Sequence, residues 1–145
     1  MISFETLHAA PPALVAHAPV LMVAAPLIAA CAAALSPSAR TSWMISVTGS
    51  IFAAWMALAL VGEVARRGAV DYAIGGFAPP LGIALHIDGL SVLMALLVSS
   101  AGVMASLYSG HSLAADVRAE KHTLFQSGFL LCQAGLLGLV STGDA

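Results

Sequence analysis

The sequence predicts an all-α, multi-pass membrane protein with four transmembrane helices. Three observations carry that prediction. Of its 145 residues, 60% are hydrophobic and only 8% are charged, against about 25% charged in an ordinary soluble domain. Four apolar runs are long enough to cross a hydrocarbon core, which takes about 20 helical residues. No Asp, Glu, Lys or Arg falls in the middle of any of these runs.

The first span runs over about 13–35, with Pro19 and Pro26 seven apart on one helix face. Membrane helices tolerate such prolines because neighbouring groups satisfy the freed carbonyls. The polar turn "SPSARTS", Ser36 to Ser42, leads into a second span over 43–61. Trp43 stands where an interfacial aromatic belongs. Gly49, Ala53 and Ala57 form a small-residue stripe that allows close helix approach. The longest connection, Gly62 to Ile87, offers Glu63 to Arg66 or Arg67 at helical spacing. Within it, Val70, Tyr72 and Ile74 alternate, which allows a short extended piece.

The third span covers 90–108. Ser91, Ala95, Ser99, Gly102 and Ser106 share one face, expected to pack on protein, while Leu93, Leu97 and Met104 point elsewhere, toward lipid. A charged link, Ser109 to His122, precedes the fourth span over 123–141, and the sequence closes on the turn signal "STGDA". The whole of 1–145 reads as a single membrane domain. Four spans place both termini on one side, but the basic residues of the links are too evenly divided to orient them.

The net charge of -2 excludes a general nucleic-acid patch. Cys31 and Cys132 lie inside apolar runs and are expected as small packing residues rather than a disulfide. "LIAAC", Leu27 to Cys31, resembles a lipoprotein cleavage site. The leading residues carry Glu5 and no Lys or Arg, which argues against a cleaved signal peptide.

The candidates for ion chemistry are few. Asp88 could serve a proton or ion route, since ionisable groups at membrane depth are functional candidates. Followed by "GLS", it sits more naturally as the N-cap of the third helix. His86 and His17 could titrate near neutral pH, yet no acid at helical spacing tunes either ring. Gln126 and Gln133, seven apart in the fourth span, suit interhelical hydrogen bonds better than a wet path. His111 and His122 lack the compact spacing of a metal site. No phosphate loop, nucleophile elbow or dinucleotide fingerprint occurs, so no cofactor is expected.

The run "GGFAPPLGIALHIDGLSVLM", Gly75 to Met94, resembles the D-type subunit of Mrp multisubunit sodium/proton antiporters. There a Gly-Gly-aromatic turn, a proline and "GI" precede an Asp and the third helix. "LYS", closing at Ser109, and "AGLLGLVSTGDA", Ala134 to Ala145, match as well. The superfamily includes the antiporter-like proton-pumping subunits of complex I and of membrane-bound hydrogenases. "DGLS" resembles other members too, which leaves the subclass open. The positions carried over are Gly75, Gly76, Pro80, Gly82, Ile83, Asp88, Thr142, Gly143 and Asp144, all in structural roles. As a proton path this leaves Asp88, His86 and Gln133 as candidates, with no catalytic residue and no metal ligand.

The resemblance implies a segment of a monovalent cation:H+ antiporter subunit in a bacterial plasma membrane, with an outward N-terminus. Its partners would be other membrane subunits, with H+ and Na+ as the transported ions. In the family, the essential glutamate and lysines lie in helices beyond the "TGD" turn. This stretch is therefore expected to be a fragment or one piece of a split subunit, unable to transport alone and not itself an enzyme. One alternative is a proton-translocating subunit of a redox-driven NADH-quinone oxidoreductase or hydrogenase complex. Another is a small membrane scaffold.

Overall fold

The computed structural model describes residues 17–73, 84–116, 118 and 121–142, with Arg67, 70–73, 84–86 and 113–116 described by backbone. Among these residues four helices, α1 (Ala18–Ala34), α2 (Ala39–Arg67), α3 (Gly89–Asp116) and α4 (His122–Ser141), carry the fold. A two-stranded ladder, β1 (Val70–Ala73) and β2 (Ala84–Ile87), stands between α2 and α3. Its strands are antiparallel, with Val70 opposite Ile87 and Asp71 opposite His86. The alternation at Val70 and Tyr72 thus becomes β1. Residues 13–16 of the first span lie outside the described residues, as do Gly75, Gly76, Pro80, Gly82, Ile83, Gly143 and Asp144.

α2, α3 and α4 are long and apolar enough to cross a membrane. The described part of α1 is apolar and 17 residues long, about 26 Å at 1.5 Å per residue. α2 and α3 run past the apolar spans expected for them, because helix does not stop where hydrophobicity stops. At the front of α2, Ser38 Oγ accepts from Thr41 N at 3.3 Å. At its back, Glu63 and Arg66 pair one turn apart at 3.5 Å. α2 then ends at Gly68, where φ is +81° and the amide donates to Val64 O at 2.9 Å. That left-handed turn is open to glycine at little cost.

Short links make neighbouring helices antiparallel. α1 packs on α2 and α4, and α2 also packs on α3, which closes a four-helix bundle. The prolines Pro19 and Pro26 both face inward from α1. Gly49 sits against α1, where a Cβ would lie 2.8 Å from Ala29 Cβ. The small face of α3 is buried at Ala95, Ser99, Gly102 and Ser106, while Leu93, Leu97 and Met104 are exposed.

The bundle interior changes character along its axis. At the ladder end, Met22, Met56, Leu60, Ile87, Val92 and Leu137 form an apolar core. At the opposite end the buried residues include Ser42, Ser46 and Ser50 of α2, Ser99, Ser106 and Ser109 of α3, and Gln126 and Gln133 of α4. Cys31 and Cys132 are free and exposed, which corrects their expected place as packing residues. Helical phase turns both away from the four-helix interior.

Candidate functional site

The polar half of the interior is organised in two layers. The outer layer is a pocket of about 320 Å³ lined by Arg40 and Trp43 from α2, Ser109 and His111 from α3, and His122 and Gln126 from α4. Trp43 Nε1 donates to Ser106 O at 2.9 Å, tying α2 to α3. That approach needs Gly110, since a Cβ there would lie 2.7 Å from the indole Nε1. Ser109 Oγ donates to Ser106 O at 2.7 Å and accepts from Gln126 Nε2 at 2.8 Å. One backbone carbonyl thereby anchors side chains that fix the register of three helices.

The inner layer lies two turns deeper. Ser50 Oγ donates to Gln133 Oε1 at 2.8 Å, joining α2 to α4. The glutamine side chain fills the space left by Gly102 on α3, where a Cβ would lie 2.6 Å from Gln133 Cδ. Both glutamines are therefore interhelical hydrogen-bonding residues. Such bonds average about 0.6 kcal/mol in membrane proteins.

Neither amide is fully satisfied. Gln126 Oε1 and Gln133 Nε2 are buried without a hydrogen-bond partner, as are Ser42 Oγ and Ser46 Oγ. An unpaired buried donor or acceptor costs about 1–3 kcal/mol. The four atoms sit in the polar half, on the same helix faces as the paired groups.

Asp88 stands apart from this site, at the start of α3 beside the apolar core. Its Oδ1 accepts from Ser91 N at 2.7 Å and its carbonyl from Val92 N at 3.0 Å. This is an N-cap, where a carboxylate also meets the positive end of the helix dipole. His86 lies in β2, across the ladder from Asp71. The structure thus brings His86 close in chain to Asp88 but places Gln133 in the other layer system. His17 is exposed ahead of α1, its carbonyl accepting from Leu21 N at 3.0 Å. Thr142 caps the end of α4, with its amide donating to Gly138 O at 3.0 Å. His111 and His122 do meet, at the pocket, but no group of three metal-ligating side chains forms among the described residues.

Sequence reasoning missed Ser42, Ser46 and Ser50 as members of the site. Their spacing of four was the available signal, since it places all three on one face of α2.

These features define a helical membrane protein with an uncharged polar interior at one end. No family model matches the chain. It is 36% identical over 135 residues to the NADH-quinone oxidoreductase subunit N of Desulforudis audaxviator (strain MP104C), covering 89% of this chain and 26% of that protein. It is 39% identical over 92 residues to the D-type subunit of a probable K(+)/H(+) antiporter of Rhizobium meliloti (strain 1021), covering 61% of this chain and 16% of that protein. Both relatives are antiporter-like superfamily subunits. The chain spans about a quarter or less of the length of these relatives.

Proposed function

We propose that this chain forms part of an ion-coupled membrane subunit of the antiporter-like kind, with α1 as a fourth span, in a bacterial plasma membrane. The observation that carries the reading is the 36% identity over 135 residues to an NADH-quinone oxidoreductase subunit. The first form of the reading is monovalent cation/proton antiport, with Na+ or K+ exchanged for H+. It is supported by the D-type motifs around Gly75–Met94 and by the likeness to the D-type subunit of a probable K(+)/H(+) antiporter. The second form is a proton-translocating subunit of a redox-driven complex, favoured by the longer alignment with the NADH-quinone oxidoreductase relative.

In both forms the chain's own residues build and brace the bundle. Asp88 starts α3, the Trp43–Ser106 and Ser50–Gln133 bonds set helix register, and other membrane subunits are the partners. No Asp, Glu, Lys or Arg lies mid-span in α2, α3 or α4. The carriers of charge across hydrocarbon, which need titratable groups, therefore belong to other helices of the assembly.

The test is affinity purification of the tagged chain from its native membrane in mild detergent. Companion membrane subunits without iron–sulfur signals support antiport. Companions carrying iron–sulfur centres, seen by electron paramagnetic resonance, support the redox form. A chain that leaves the membrane alone contradicts both.

A further inference from the structure

We propose that the seam between α2, α3 and α4 binds a short file of water molecules, which enters through the Arg40–His122 pocket and ends at Gln133. Three observations meet here. The pocket reaches inward as far as Gln126, a side chain only 2% exposed. Gln126 Oε1 is bare, although its Nε2 is held by Ser109. Farther in, Ser46 Oγ and Gln133 Nε2 are bare as well, at 0% and 3% residue exposure.

The chemistry of the unpaired atoms selects the ligand. An amide oxygen can only accept, an amide nitrogen can only donate, and two hydroxyls can do either. A cation would need acceptors throughout, and an anion would need donors. Water supplies both, and buried water typically makes about three hydrogen bonds to such groups. Were the Gln133 amide turned over, its oxygen would be the bare atom and water would still satisfy it.

The geometry also sets where the file stops. Gln126 to Gln133 is seven residues, about 10 Å along a helix, or about a third of a 30 Å hydrocarbon core. Beyond Gln133 the same stripe of α2 continues as Ala53, Met56, Ala57 and Leu60, all buried in the apolar core. The file is therefore a dead-end aqueous recess. It carries water partway into the bundle without a titratable group that could hold a proton.

The test uses silver ion, which travels in water and reacts with thiols. In the full assembly, with Cys31 and Cys132 replaced by alanine, Ser46→Cys and Ala57→Cys are introduced separately. Silver is applied to intact membranes, and thiols left unreacted are then alkylated after denaturation. The expected result is loss of alkylation at position 46 and full alkylation at position 57. Adding Gln126→Leu, which plugs the inner wall of the pocket, should restore alkylation at position 46. Full alkylation at 46 without the plug overturns the proposal, and so does loss of alkylation at both positions. If a cysteine variant fails to assemble, the unsubstituted complex decides at water-resolving cryo-electron microscopy. Ordered density between Gln126 and Gln133 supports the file, and continuous side-chain packing there overturns it.

Discussion

Gly102→Ala should weaken the bundle through Gln133. A Cβ at position 102 would stand 2.6 Å from Gln133 Cδ and 2.9 Å from its Oε1. An ordinary carbon–carbon contact needs about 3.5 Å, so the glutamine must retreat by roughly 0.9 Å. Its bond from Ser50 is 2.8 Å long, and stretching it by that amount passes the limit of about 3.5 Å beyond which no hydrogen bond remains. Two buried groups then lose their partners, at about 1–3 kcal/mol. The better helix propensity of alanine returns up to about 1 kcal/mol. The expected net loss is about 1–2 kcal/mol, within the usual range for overpacking. Unfolding in bicelles with a titrated denaturing detergent, or by steric trapping, measures it. A double-mutant cycle with Gln133→Ala isolates the cause: in that background Gly102→Ala should be neutral or stabilising. An undiminished cost there refutes the reasoning.

Other substitutions test other joints by the same unfolding measurement. Gly49→Ala presses on Ala29 Cβ, which has no flexible end to move, so it should separate α1 from α2 and cost at least as much as Gly102→Ala. Gly135→Ala meets nothing within 4 Å and should leave stability unchanged or slightly raised. Asp88→Ala should cost about 1 kcal/mol, the usual loss of an N-cap. Asp88→Asn, an equally good cap, should assemble and transport like the parent; lost transport with assembly intact would make Asp88 a proton-path residue. Trp43→Phe removes the donor to Ser106 O, which is held at 2.9 Å, and should lower stability by about 1 kcal/mol.

Local features were legible in the sequence and distant pairings were not. "DGLS" announced the cap at Asp88 because a capping bond reaches only three residues, here to Ser91 N. The small face of α3 followed from spacing alone. Gln126 and Gln133 announced interhelical bonding, but not with whom: Ser50 is 83 positions from Gln133, and periodicity says nothing about which faces of separate helices meet. Trp43 read as an interfacial aromatic, while its partner lies 63 positions away in α3. The lengths of α2 and α3 were underestimated because hydrophobicity reports what can lie in lipid, whereas helix continues through Glu63–Arg66 and past Tyr108 on backbone bonds. The exposed positions of Cys31 and Cys132 depend on bundle phase, which apolar runs do not record.

The central claim is that the chain is a working part of an ion-coupled membrane subunit. Everted vesicles from cells with and without the chain measure this most directly, by the recovery of a fluorescent pH probe when Na+ or K+ is added to an acidified lumen, or by the proton gradient formed on adding NADH. Loss of one of these activities on deletion, and its return when the chain is restored, is the predicted result. Vesicles whose cation-driven and NADH-driven proton movements are both unchanged by deletion would contradict it.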